Sequence, residues 1–227
     1  MRQRQLIVFA KPPRIGRAKR RLAADIGETE AIRFYRSTLA ATLRRLGGEP
    51  HWRTWLFVDK GDARWPRGIS RQRQPSGNLG TRMEKALRSM PPGPVVLIGS
   101  DIPDTRPDDV RAAFRILEDR RAVFGPATDG GYWLVGLAHA RAAPGLFESV
   151  RWSSENALAD TLRNISGPRG YRLAPVREDV DDGAAFLRWR EKSDRSQPRR
   201  LVFDRRRGSH DESRVIVMEQ MYKRYPS

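Results

Sequence analysis

Short apolar runs and longer amphipathic stretches alternate along most of the chain. Leu6 to Phe9 is apolar without polar interruption, the pattern of a central strand buried on both faces. A loop of Lys11, Pro12, Pro13, Arg14, Ile15 and Gly16 follows, and Arg17 to Ile26 reads as a helix. Ile32, Tyr35, Leu39, Leu43 and Leu46 then recur at helical spacing, so one face of a helix over 28–46 is apolar, and Gly47-Gly48 stops it. Trp52 to Val58 reads as the second strand, with a loop from Asp59 to Asp62. Gly77 to Gly80 leads into a helix carrying Met83, Ala86, Leu87 and Met90. Val95 to Ile98 is another buried run, closed by Gly99-Ser100-Asp101-Ile102-Pro103. Thr105-Arg106-Pro107-Asp108 has the form of a helix start with proline in the first turn.

Further on, Ala122 to Phe124 and Tyr132 to Leu137 read as strands on either side of Asp129-Gly130-Gly131. A helix over 154–164, a strand over 171–176 and a helix over 182–189 complete the series. Strands alternating with helices predict an α/β layered domain. The texture changes near residue 190. The expected organisation is a domain over 1–189 and a basic, partly disordered tail over 190–227, in which Arg214 to Tyr222 forms one helix or strand.

The 227 residues hold no cysteine, which excludes disulfides and thiolate metal sites and fits a cytoplasmic protein. No apolar run approaches the roughly 20 residues that span a membrane. The net charge of +17 raises the question of nucleic acid. The basic residues are spread along the chain, however, and no zinc finger, RNA-binding aromatic signature or zipper accompanies them. Arginine-rich solvated surfaces explain the charge better, and the expected polyanion is a small anionic substrate.

Open α/β sheets bind ligands beyond the carboxyl ends of their strands. Four segments here occupy such positions. The loop after the first strand offers Lys11, Pro12, Gly16 and Lys19, where glycine and a helix start suit a diphosphate. It is neither a Walker loop nor a dinucleotide fingerprint. Asp101 follows a buried strand and is placed to ligate a hard cation, because Mg²⁺ takes one or two carboxylates and completes its shell with phosphate and water. Asp129 sits at the Asp-Gly-Gly turn, which by itself is a strong hairpin signal. Asp179, Asp181 and Asp182 form a further acidic group after a strand-like run, and Asp182 has a competing use as the cap of the last helix. His51, His139 and His210 show no metal-ligand spacing.

In order, the segments Phe9-Ala10-Lys11-Pro12-Pro13-Arg14-Ile15-Gly16-Arg17-Ala18-Lys19, Gly77-Asn78-Leu79-Gly80-Thr81-Arg82-Met83, Gly99-Ser100-Asp101-Ile102-Pro103, Gly125 to Tyr132, Trp152-Ser153-Ser154 and Asp179-Val180-Asp181 resemble the DUF2064, or "transferase 1", group of bacterial GT-A-type transferases. The resemblance covers roughly residues 5–190. It implies a Rossmann-like three-layer α/β/α fold with a mostly parallel mixed sheet and a nucleotide or sugar-nucleotide substrate. It places Lys11, Pro12, Gly16, Lys19 and Arg82 at the nucleotide, Asp101 and Asp181 at a divalent cation (Mg²⁺ or Mn²⁺), and Asp129 at the transferred group or acceptor. The sequence departs from the group at Arg20, where threonine is usual, and at Asn78, where aspartate is usual. The implied activity is glycosyl transfer from a nucleotide-diphospho-sugar to an acceptor of unknown identity. The alternatives are nucleotidyl transfer from an NTP, and a polyanion-binding protein with a degenerate site.

Overall fold

The computed structural model describes residues 3–61, 63–140, 143–165, 167 and 169–196. Seven strands form one sheet in the order β3-β2-β1-β4-β6-β5-β7. They are β1 (Gln5–Ala10), β2 (Arg53–Val58), β3 (Ser70–Arg73), β4 (Val95–Gly99), β5 (Ala122–Pro126), β6 (Tyr132–Leu137) and β7 (Tyr171–Leu173). β1 pairs in parallel with β2 and β4, β2 with β3, and β5 with β7; only β6 runs antiparallel, between β4 and β5. Six strands therefore present their carboxyl ends at one edge, and the predicted mixed, mostly parallel α/β sheet is observed.

β1 is buried along its whole length. Leu6, Val8 and Ala10 point to one sheet face, and Ile7 and Phe9 to the other. On the first face lie α2 (Glu28–Gly47), through Ile32, Tyr35, Leu39, Leu43 and Leu46, and α4 (Pro107–Ile116), through Val110, Ala113 and Phe114. The second face packs α3 (Leu79–Arg88), through Met83, Ala86 and Leu87, and α5 (Ala157–Arg163), through Leu158 and Leu162. Helices on both faces of a parallel sheet give the three layers. α1 (Arg20–Ile26) is short and follows the β1 loop.

Several boundaries differ from the sequence reading. β3 was not expected: Ser70–Arg73 carries no apolar alternation, because an edge strand facing solvent needs none and is protected by its charges. The α4 cap is Arg106, whose N–H donates to Asp109 Oδ2 at 2.8 Å, so Thr105 lies one residue before it. α6 (Gly183–Ser196) runs past Trp189. At its start the Ala185 N–H donates to Asp182 Oδ1 at 2.8 Å, the capping use anticipated for Asp182. Residues up to 187 form one compact unit, and a second begins at 188. Of the expected tail, 197–227 lies outside the described residues, including the element anticipated over 214–222. Among the described residues, no helix is long and apolar enough to cross a membrane.

Candidate active site

The carboxyl edge of the sheet gathers the loops after β1, β4, β5 and β7. Tyr35, from the buried face of α2, fastens two of them. Its hydroxyl accepts from the Lys11 N–H at 3.0 Å and lies 3.0 Å from Ser100 Oγ. Burial, and then the negative charge of Asp101, raise the Tyr35 hydroxyl far above the ordinary phenol range, so it stays protonated. Periodicity marked Tyr35 as a core residue, which it is, but could not show that its polar end ties the two loops.

The β1 loop ends at Lys19, which holds the left-handed conformation at φ 53° and ψ 44°. For a residue with a Cβ this costs about 1–2 kcal/mol. The turn aims the Lys19 side chain inward, where it is 2% exposed. Its ammonium lies 2.7 Å from Asp101 Oδ1 and 2.6 Å from Asp181 Oδ1. Burial alone would lower the lysine pKa, but the two carboxylates outweigh it and raise it. Burial likewise works against ionisation of Asp181, and Lys19, with Arg21 and Lys11 beyond, holds it below the usual carboxylate range. Asp101 and Asp181, widely separated in sequence, thus converge on one buried cation of the protein's own.

The segment after β7 reaches this point along the hairpin. Ala127 bridges Arg177 in parallel, and the Val180 N–H donates to the Asp101 carbonyl at 3.3 Å. Asp179 enters with it and was not selected from the sequence. Burial first, then the charges of Asp181 and Asp129, raise its carboxyl to about 6. Four carboxylates, Asp101, Asp129, Asp179 and Asp181, therefore share this stretch of the edge with Lys19.

Asp129 is exposed at the tip of the β5–β6 hairpin. The hairpin reading of Asp-Gly-Gly is correct, and so is the placement at the strand ends, because β5 runs with β1 and β4. Asp129 Oδ1 accepts from the Gly131 N–H at 2.9 Å. Gly130, at φ +83°, faces the backbone of Glu155, and a Cβ there would lie 2.5 Å from Glu155 Cα.

The remaining predicted residues sit toward β1 and β2. Gly16 has φ +73° and open space around it, and Pro12 packs against Gly61. Arg82 joins a separate polar group: it donates to Gln74 Oε1 and lies 3.7 Å from Asp59 Oδ2. Gln74 is buried and donates to the carbonyls of Ala10 at 3.1 Å and Phe57 at 3.0 Å, tying the ends of β1 and β2. Gln74 and Asp59 had no signal in the sequence. Asn78 caps α3, its Oδ1 accepting from the Thr81 N–H at 2.9 Å, so the amide fills the capping role open to the aspartate usual there.

Among the described residues, no group of three acidic or imidazole side chains is arranged to hold a metal. A hard cation that draws on one or two carboxylates, water and phosphate still fits Asp101 and Asp181. Each gives one oxygen to Lys19, and their side chains remain 43% and 36% exposed.

Residues 42–154 match the model of DUF2064, described as an uncharacterized protein conserved in bacteria. Among solved structures, a provisionally described nucleotide-diphospho-sugar transferase from Desulfovibrio desulfuricans G20 is similar at 27% identity, covering 88% of this chain and 91% of that one, with a TM-score of 0.77. The manganese complex of Rv0371C from Mycobacterium tuberculosis H37Rv is 17% identical, covering 84% and 99% of the two chains, with a TM-score of 0.52. CMP:2-keto-3-deoxy-manno-octonic acid synthetase, solved with CTP, is 13% identical, covering 86% and 100%, with a TM-score of 0.55. Both of these share the fold. No curated protein matches the chain.

Proposed function

We propose that this chain is a transferase that binds a nucleotide-diphospho-sugar and a divalent cation at the carboxyl edge of its sheet. The observation that carries the reading is the convergence of Asp101 and Asp181, both held by Lys19. Manganese bound by Rv0371C and the nucleotide-sugar description of the Desulfovibrio protein support it. Asp101 and Asp181 would hold the cation, which when bound neutralises charge on the departing nucleoside diphosphate. Lys19 fixes the separation of the two carboxylates, and it must leave both to reach a phosphate, the role anticipated from sequence. Lys11 and the open backbone at Gly16 face the diphosphate instead. Arg82, braced by Gln74 and Asp59, lies at the β1 and β2 ends, where a nucleotide extends away from the carboxylates. Asp129 projects from the hairpin tip toward the acceptor, and residues 1–189 carry the activity.

Calorimetric titration of nucleotides and sugar nucleotides with Mn²⁺ tests this. Asp101→Ala should abolish cation-dependent nucleotide binding while the chain stays folded, at a lower melting temperature because Lys19 loses one of its two carboxylates. Equal affinity with and without the cation in both proteins overturns the reading. Release of pyrophosphate from an NTP, in place of a nucleoside diphosphate from a sugar nucleotide, would make the reaction nucleotidyl transfer.

A further inference from the structure

On the α2 side of the sheet lies a cavity of about 590 Å³, and none of the four carboxylates lines it. Small-molecule sites occupy roughly 300–1,000 Å³. Its walls come from the β1 loop (Pro13 and Arg14), from α2 (Arg36, Leu39 and Ala40) and from the β2–β3 connection (Ala63 to Pro66). Two kinds of surface meet there. Leu39 is buried and Trp65 half-buried, and both belong to the apolar cluster under the sheet. Arg14, Arg36 and Arg64 also line the cavity. Among the described residues, none of the three has a carboxylate within ion-pair distance. Arg36 Nε donates to the Pro13 carbonyl at 3.2 Å, which braces that side chain against the loop.

The chain has 44 lysines and arginines, so a lone exposed arginine means little. These three share a concave surface with an aromatic wall and no counter-charge among the described residues. Like charges around one cavity repel, and an anion placed between them relieves that repulsion while accepting from guanidinium N–H groups. An apolar or planar body attached to the anion would cover Trp65 and Leu39. A bare inorganic anion would leave that surface wet.

We infer that this cavity is a second ligand site, for an organic anion with a phosphate or carboxylate group on a planar or apolar body. It is separate from the carboxylates that define the proposed cation site. Pro13 and Arg14 belong to the loop that carries Lys11 and Gly16, so occupancy would stiffen that loop.

The test uses the full chain, with EDTA present, titrated with phenyl phosphate by calorimetry and tryptophan fluorescence. Saturable 1:1 binding with a change in tryptophan emission is expected. Inorganic phosphate and phenol, titrated separately, should each bind at least tenfold more weakly. Arg64→Gln should weaken phenyl phosphate at least fivefold at unchanged melting temperature. Trp65→Leu should weaken it similarly and remove the emission change, and Asp101→Ala should leave the affinity within twofold. Absence of saturable binding overturns the proposal. So does equal affinity for inorganic phosphate, or affinity insensitive to both Arg64→Gln and Trp65→Leu.

Discussion

Gly130 and Glu155 are packed backbone against backbone, with no volume between them for a side chain. The Leu158 N–H donates to the Gly130 carbonyl at 3.1 Å, so the hairpin tip is fixed to the start of α5. Gly130→Ala would add a clash with main chain and force a Cβ into φ +83°. Thermal or denaturant unfolding should show a loss of about 2–5 kcal/mol, the sum of left-handed strain and overpacking. A loss within 0.5 kcal/mol, a small surface effect by this scale, would mean that the tip is free of α5.

Asp129→Asn keeps an oxygen for the Gly131 N–H and removes the charge. The turn should survive, and the melting temperature should change little. If Asp129 acts on the acceptor, kcat and kcat/KM should fall together by roughly 100-fold, with nucleotide affinity retained. Full activity would leave Asp129 with its turn alone.

Lys19→Met removes the charge that separates Asp101 from Asp181. Breaking a fully buried ion pair costs about 3–5 kcal/mol, and both carboxylates here reach solvent, so about 2–3 kcal/mol is expected. The variant should regain stability as pH falls, because protonation of either carboxylate ends their mutual repulsion. Parallel pH profiles for variant and parent would contradict this placement of the ammonium.

Asp160 is a buried carboxylate that accepts from the Arg151 N–H and guanidinium and from Arg163. The Arg151 contacts hold its pKa far below the usual range, against the effect of desolvation. A group depressed in the folded state contributes stability above its unfolded value and loses it as pH falls toward the folded one. The gap in melting temperature between the parent and Asp160→Asn should therefore be full above about pH 5 and narrow below about pH 4, near the unperturbed aspartate value. A gap that widens on acidification would contradict the assignment.

What was legible in the sequence was whatever burial writes into residue type. β1 and β4 are central strands, so their runs are wholly apolar, and the polar residues that end them mark the sheet edge. Tyr35 shows the limit: its ring obeys the helical period, while its hydroxyl bonds to residues far away in sequence. Asp179 stood in one acidic group with Asp181 and Asp182, and residue type alone did not show that it lies half-buried beside the charges of Asp181 and Asp129. Gln74 lies among polar residues at the end of an exposed edge strand, and only the fold shows that it is buried.

Lys19 has one more consequence. A pair of acidic groups that depends on an external metal for its neutrality makes the fold itself metal-dependent, as in small zinc domains. Here the chain carries the neutralising charge internally, on a side chain anchored by its own backbone turn. Assembly of the chain is thereby independent of the cation proposed for this site. Chelator treatment should therefore leave the melting temperature of the chain unchanged.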